Sequence, residues 1–410
     1  MSIKINKYSN YKLSNLNWLG NIPLHWILTK NRFGFKKIKN EYNNSDETKV
    51  LSLTTNGIKV KNDLTFGKTA ISFIGHQLVK SGHIVFTPRD FDQTPILSDV
   101  SKFDGCISNL YIVDETKENL FNHYVNYFWY GLKFTVDYFK NFSHGMRYSF
   151  NRFQFDEIPL LIPPIKEQKL IVNYLNNKIE QINLSINKIL KKIEILEEQQ
   201  KLLIYNCVTK GLNRNVDMKD SKIECIGTIP KHWLVVRFKY LFTLVGGKDP
   251  KNIQCEDGKY PILGSGGEID RGKKFLYNKK TLLLGRKGTV DRPFIFDGPF
   301  WVSDVMYYVV QKTQMTPDYL LYLFTIFPFK KYIYGSTQPS MSRLDYENHF
   351  FPVPPPQEQK KNLEYLVKKN ISFKKILFSH KKKIELLKEL EKVLISETVT
   401  GKVKVSEDII

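Results

Sequence analysis

The chain has 410 residues, 42% of them hydrophobic, with 62 Lys and Arg against 41 Asp and Glu and a formal net charge of +21. That length and apolar content support two or three domains with real cores and exclude wholesale disorder. The excess of cation points to a polyanionic partner, with a basic, AT-rich genome as the plainer source of the charge. Cys106, Cys207, Cys225 and Cys255 are scattered, with no CxxC or Cys/His cluster. Neither a zinc site nor a disulfide framework is expected, and a reduced, cytoplasmic setting fits. The amino terminus is no signal peptide, and no apolar run approaches the roughly 20 residues of a spanning helix, so no membrane association is expected.

In chain order, an opening motif Ile22-Pro23-Leu24-His25-Trp26 is followed by a predicted strand from Ser81 to Phe86 and a polar loop from Pro88 to Gln93. A second basic, polar loop runs from His144 to Ser149. Pro163-Pro164 then introduces a stretch from Ile165 to Lys210 with neither Gly nor Pro, closed by Gly211. Proline at a helix start and glycine just past its end predict one helix of roughly 60 Å. Its apolar residues Val172, Leu175, Ile179, Ile182, Ile186, Ile189, Ile193, Leu196 and Leu203 alternate in steps of three and four, with Gln200 in one slot, which is a heptad seam.

The same text then returns. Ile229-Pro230-Lys231-His232-Trp233 repeats the opening motif, and predicted strands follow from Lys280 to Gly285 and from Val305 to Val310. A short aromatic helix is predicted from Asp318 to Phe327, then a polar loop from Gln338 to Arg343. Pro354-Pro355-Pro356-Gln357-Glu358-Gln359 matches Pro163-Pro164-Ile165-Lys166-Glu167-Gln168, and Val399-Thr400-Gly401 matches Val208-Thr209-Lys210-Gly211. The second breaker-free stretch, Gln357 to Thr400, carries a weaker seam: Leu363, Leu366, Asn370, Phe373, Leu377, His380, Ile384, Leu387, Glu391 and Leu394. Asn370, His380 and Glu391 are polar intrusions of the kind that set register, and His380 is expected at the seam edge rather than in a ligand role. A repeat of about 200 residues is far longer than a solenoid repeat, so it marks two whole heads, each with its own connector. The two helices are expected to pair with each other, because both lie on one chain. If they lie along a duplex and are exchanged by its dyad, they run antiparallel.

These duplicated motifs resemble the specificity subunit of type I restriction–modification enzymes. Further matching segments are Tyr260-Pro261-Ile262-Leu263-Gly264-Ser265-Gly266-Gly267, then Leu284-Gly285-Arg286-Lys287-Gly288-Thr289, then Trp301-Val302-Ser303-Asp304. The first head has no clear counterpart of the Gly-rich segment. The resemblance implies an α/β (α+β) fold in which two strand-rich target-recognition domains (1–161 and 213–352) alternate with two long helices (162–212 and 353–410). The helices pair as an antiparallel coiled coil in a pseudo-two-fold tandem repeat. It implies a non-catalytic adaptor whose heads each read half of a bipartite, asymmetric site in double-stranded DNA, with the helices fixing the spacer. Two methyltransferase subunits would dock and transfer a methyl group from S-adenosylmethionine to adenine N6. Two motor-nuclease subunits, using ATP and Mg, would complete the restriction complex.

The residues themselves agree with an adaptor. There is no Asn-Pro-Pro or Asp-Pro-Pro segment of an amino-methyltransferase, and Asn62 stands where a P-loop ending in Gly67-Lys68-Thr69 needs its first glycine. Pro317-Asp318 has no Glu-x-Lys until Glu358, inside a predicted helix. The competing readings are a stand-alone methyltransferase or nuclease with an unrecognised motif, and a coiled-coil protein-interaction scaffold. Arginine grips guanine O6 and N7 with two hydrogen bonds. The candidate DNA-contacting residues are therefore Arg89, Gln93, Arg147 and Ser149 in the first head. In the second they are Gly264, Gly266, Gly267, Arg286, Lys287, Arg292, Gln338, Ser340 and Arg343. Each has a plainer alternative: Arg89 pairing with Asp90 or Asp92, the glycines making only a tight turn, Arg147 and Arg343 tying head to helix through carboxylates. His25 and His232 are expected to pack and hydrogen-bond beside their tryptophans.

Overall fold

A computed structural model describes residues 6–36, 38, 41–61, 72–89, 96–136, 138–139, 149–335 and 337–406. Gln93, Arg147 and the Gly67-Lys68-Thr69 segment lie outside the described residues. Contacts divide the chain into two units, residues 1–189 with 381–410, and residues 190–380.

The first unit holds β1 (Tyr11–Leu13), β2 (Asn21–Pro23), β3 (Ile27–Lys30), α1 (Asn31–Gly34), β4 (Phe35–Lys36), β5 (Leu51–Thr54), β6 (Gly57–Val60), β7 (Gln77–Val79), β8 (Ile84–Phe86), β9 (Ser98–Val100), β10 (Gly105–Ile107), β11 (Ile112–Thr116), α2 (Asn122–Val136), α3 (Arg152–Asp156), β12 (Pro159–Ile162) and the first part of α4 (Ile165–Lys210). The second holds the rest of α4, then β13 (Met218–Asp220), β14 (Thr228–Pro230), β15 (Leu234–Arg237), α5 (Phe238–Leu241), β16 (Phe242–Gly246), β17 (Tyr260–Gly264), β18 (Gly267–Gly272), β19 (Thr281–Gly285), β20 (Phe294–Phe296), β21 (Trp301–Val302), β22 (Met306–Gln311), α6 (Pro317–Leu323), α7 (Phe329–Tyr332), α8 (Arg343–Asn348), β23 (Phe350–Val353) and the first part of α9 (Pro356–Val399). The remainder of α9 belongs to the first unit.

The two heads share much of their topology, although the remaining strands form two separate pairs, β5-β6 and β10-β7, in the first and one three-stranded sheet, β18-β17-β21, in the second. Each has a four-stranded antiparallel sheet, β4-β11-β8-β9 in the first and β16-β22-β19-β20 in the second. The small pairs β1–β2 and β3–β12 have counterparts in β13–β14 and β15–β23. The strand expected from Ser81 begins only at Ile84, because Ser81 and Gly82 make the turn before it, with Gly82 at φ +91°. The aromatic helix ends at Leu323 and continues as a 3-10 turn over Phe324–Ile326. Among the described residues no helix is long and apolar enough to cross a membrane.

The helices α4 and α9 coincide closely with the breaker-free stretches. Between residues 367 and 394 every position off the seam is exposed, whereas Asn370, Phe373, Leu377, His380, Ile384, Leu387, Glu391 and Leu394 are all half-buried. In α4, Ile182, Ile189 and Ile193 are buried and Ile179, Ile186 and Leu196 half-buried, while off-seam Leu184 and Ile195 stand in solvent. Burying an isoleucine is worth about 1.5–3 kcal/mol, so the seam rather than helix propensity holds these rods. In the second unit the polar seam residues meet: Gln200 Nε2 donates to Asn370 Oδ1 at 2.5 Å, and Cys207 lies 3.9 Å from the Asn362 carbonyl. Contacts that advance along α4 retreat along α9, so the segments run antiparallel. In the first unit Val172, Leu175, Ile395 and Val399 share one core.

The repeated motifs converge in each unit. In the first, His25 Nε2 lies 2.9 Å from Glu167 Oε2, and the Tyr8 hydroxyl donates to Glu167 Oε1. In the second, His232 Nε2 is 2.7 Å from Glu358 Oε1 and Trp233 Nε1 donates to Glu358 Oε2 at 2.8 Å. The glutamine that follows bonds the proline carbonyl five residues earlier, Gln168 to Pro163 and Gln359 to Pro354, both at 2.7 Å. The exit glycines are left-handed, with φ +70° at Gly211 and +75° at Gly401. A Cβ on Gly211 would meet Trp233 at 3.0 Å, and one on Gly401 would meet Pro23 at 2.4 Å. Each opening motif is thus sealed by the exit of the other repeat. Glu358→Gln replaces a charged acceptor by a neutral one on a buried indole, and should lower the unfolding free energy by about 1 kcal/mol in a denaturant titration.

His349 supplies a pH dependence. It is buried against Phe327, Phe351 and Tyr332, and its Nε2 has no hydrogen-bond partner among the described residues. Burial, with the charge of Lys331 adding to it, pushes its imidazole down from 6.5 to about 4. The unfolded chain therefore binds the proton first, so stability is complete above pH 6.5 and is lost as the pH falls from there toward about 4. Thermal unfolding across that window should fall more steeply for the wild type than for His349→Phe; equal slopes refute the assignment.

Candidate nucleic-acid interface

The Gly264–Gly267 hairpin, the Arg286–Thr289 loop and the segment of Gln338 to Arg343 come together at one tip of the second head. β17 and β18 form a hairpin whose turn is Ser265-Gly266, with Gly267 at φ +118°. An added Cβ on Gly264 would lie 2.9 Å from Ile269, so this glycine serves close packing in the hairpin, whereas Gly266 faces open space. Ser265 Oγ accepts from the Thr289 amide at 3.2 Å, tying the hairpin to the loop after β19. That loop in turn pairs with the segment before α8: Lys287 bridges Ser340, Gly288 N donates to Pro339 O at 2.8 Å, and Met341 N to Arg286 O at 3.0 Å. Arg286, Lys287, Arg292, Gln338 and Arg343 are exposed and Ser340 is half-buried.

Electrostatics at this tip are mixed in sign. Burial pushes the Tyr307 phenol up; the nearby charges of Arg286 and Arg343 act against it, and those of Asp345 and Glu347 add to it. Arg286 Nη1 donates to the Asp304 carbonyl at 3.3 Å. Arg343 pairs with Glu347 at 2.7 Å, one turn along the same short helix, so its carboxylate partner is within α8 and not on a long helix.

The first head repeats the arrangement with different side chains. Arg89, exposed, bridges Ser149, and Phe150 N donates to Pro88 O at 3.0 Å. A groove of about 710 Å³ opens beside this bridge, its rim including Tyr42, Asn109, Asn151 and Arg152. Arg152 is held by Asp114 at 2.8 Å and Asp156 at 2.9 Å. The hairpin with no clear sequence counterpart is present as β5–β6, turning at Thr55-Asn56 with Gly57 at φ +88°. Its signal was the alternation of Leu51-Ser52-Leu53-Thr54 and Ile58-Lys59-Val60 about Asn56-Gly57, a hairpin pattern that needs only one glycine. Among the described residues no group of three or more His, Cys, Asp or Glu side chains is placed to hold a metal ion.

The family model described as the type I restriction modification DNA specificity domain matches residues 230–391, from the second opening motif into α9. Over 331 residues the chain is 26% identical to the type I restriction enzyme MjaVIII specificity subunit of Methanocaldococcus jannaschii, covering 73% of this chain and 75% of that protein. The second repeat thus matches the type I restriction modification DNA specificity domain, and the chain is similar to a curated type I restriction enzyme specificity subunit. Solved structures extend the likeness in fold to both heads. A chain from a type I restriction–modification system, studied for its complex assembly and conformational transition, superposes with a TM-score of 0.74 at 13% identity, covering 92% of this chain and 98% of that one. The HsdS subunit from Thermoanaerobacter tengcongensis gives a TM-score of 0.55 at 14% identity, covering 97% and 100%. The family match takes in the Gly-rich hairpin, the Arg286 loop and the Gln338–Arg343 segment together.

Proposed function

We propose that this chain is a specificity subunit that reads a bipartite, asymmetric site in double-stranded DNA, one half with each head, and leaves the chemistry to other chains. The observation that carries this is the repeated tip. Two heads built on a like four-stranded sheet each join a loop bearing an exposed Arg or Lys to a Ser-bearing segment by the same backbone bridge, Arg89 to Ser149 and Lys287 to Ser340. Exposed Arg and Lys side chains on a rigid tip suit guanine edges and phosphates. The net charge of +21 supplies non-specific affinity through counterion release. Like scaffolds with unlike tips suit two unlike half-sites.

In this reading α4 and α9 set the unread spacer. Two methyltransferase subunits dock on the helices and heads and carry S-adenosylmethionine for adenine N6 methylation. Two motor-nuclease subunits using ATP and Mg complete the restriction complex, and the assembly works in the cytoplasm. Gln93 and Arg147 are further proposed contacts in the first head, Gly264, Gly266, Gly267 and Arg292 in the second.

Methylome sequencing of cells with and without the gene tests the proposal. A modified motif with two defined halves and an unspecified gap should vanish on deletion of the gene. An unchanged methylome, with a purified chain that binds S-adenosylmethionine saturably, would favour the stand-alone enzyme instead. Salt titration of DNA binding separates the scaffold reading, since phosphate contacts make affinity drop steeply with ionic strength.

A further inference from the structure

The loop from Arg286 to Thr289 leaves the buried strand β19 and returns at Val290. Its backbone amides are already committed inside the head. Arg286 and Lys287 donate to Val305 O at 2.8 and 3.1 Å, Gly288 to Pro339 O at 2.8 Å, Thr289 to Ser265 Oγ at 3.2 Å and Val290 to Gly288 O at 2.9 Å. Such a loop is not an amide cradle for an anion. What it offers outward are two side chains, Arg286 and Lys287, both exposed.

Its base is held from below. Tyr346 on α8 is 0% exposed, and its hydroxyl lies 2.8 Å from Gly285 O and 3.4 Å from Val290 O, the two ends of the loop. The chain doubles back so tightly there that a Cβ on Gly285 would stand 2.6 Å from Val290 Cα. One O–H shared between two carbonyls closes the loop at its neck. The first head does this differently. Tyr346 is the fourth residue after the capping-box serine Ser342, and the fourth residue after the capping-box asparagine Asn151 is Phe155. Phe155 is buried and packs its ring 5.2 Å from that of Phe86 at the end of β8. A phenylalanine is therefore accommodated at this place in the fold.

We infer that Tyr346 is a positioning residue: its hydroxyl fixes how the Arg286–Lys287 tip is presented, and sequence discrimination by the second head depends on it. This rests on the reading that the second head recognises one half-site. A guanidinium donating two bonds to one base edge tolerates displacements of only a fraction of an ångström, so slack at the neck costs discrimination before it costs overall attraction to phosphate.

The test is Tyr346→Phe, which removes one oxygen and nothing else. In the full chain without DNA, amide hydrogen exchange at Arg286 to Thr289 should accelerate while the rest of the head is unchanged. In the complex with its methyltransferase, a duplex is first selected from a random library with the wild type. Discrimination against single-base changes in the half read by the second head should then fall about tenfold. Discrimination in the other half should stay at the wild-type value. Unchanged exchange overturns the clamp whatever DNA does. Accelerated exchange with intact discrimination overturns the positioning role. A uniform loss in both halves reduces Tyr346 to a fold residue and also overturns it. If the wild type selects no sequence at all, the DNA reading itself has failed and the inference goes with it.

Discussion

Removing one heptad from each long helix, residues 187–193 from α4 and 378–384 from α9, should abolish modification at the original half-site spacing. Both deletions keep the seam in phase, because Ile186 is followed three residues later by Leu196 and Leu377 three residues later by Leu387, as in the intact pattern. The Gln200–Asn370 pair in the second unit and the Val172, Leu175, Ile395 and Val399 core in the first are left untouched. Each helix loses about 10 Å, the length of roughly three base-pair steps. Seven residues return a helix face to within about 20°, whereas three base pairs turn a duplex by nearly a third of a revolution. The shortened rods therefore place the heads for a gap about three base pairs smaller but imperfectly phased. Methylome sequencing of cells carrying the double deletion should show either a weakly modified motif with the shorter gap or no modification. Full methylation at the original gap would end the idea that these helices measure the spacer. Circular dichroism of the purified variant, expected to retain its helical signal, separates a measuring failure from a folding failure.

Arg286→Ala should relax the preference at one base of the half-site read by the second head, by roughly 1–3 kcal/mol. The side chain is exposed at the tip, and its backbone is fixed by bonds to Val305 and Met341, so its loss leaves the loop closed. Competition between the selected duplex and its single-base variants reads the effect. A loss confined to one position assigns Arg286 to a base edge. Equal weakening on every sequence, with a shallower dependence on salt, assigns it to phosphate instead.

Local features of the chain foretold the rods well. Breaker-free stretches, a three–four apolar rhythm, leading prolines and a trailing glycine are all short-range, and α4 and α9 end within a residue or two of where those signals stop. Even the polar slots Gln200 and Asn370 were legible as seam positions, although not as partners, since pairing needs the register of the two helices. The heads were legible only in fragments. β19 and β22 stood out as apolar runs, but β5–β6 was missed, although the alternation about Asn56-Gly57 is a hairpin signal that reading by likeness to the Gly-rich segment passed over. The candidate site was legible as separate polar loops: which loops touch is set by sheet order, and strand pairing is non-local. Tyr346 carried no signal, being one aromatic among many until its hydroxyl was seen between two carbonyls.

The amino-acid sequence by itself determined the duplication and the two long helices with their seams, because these follow from repeated text and from periodicities of three to four residues; the class of the protein was read from a resemblance in the duplicated motifs. Only the tertiary structure decided that each opening motif is sealed by the exit of the other repeat, and that Arg89 meets Ser149 as Lys287 meets Ser340. Those contacts join residues dozens to hundreds of positions apart. No local propensity encodes them; they arise when antiparallel helices return the chain and buried strands choose their neighbours.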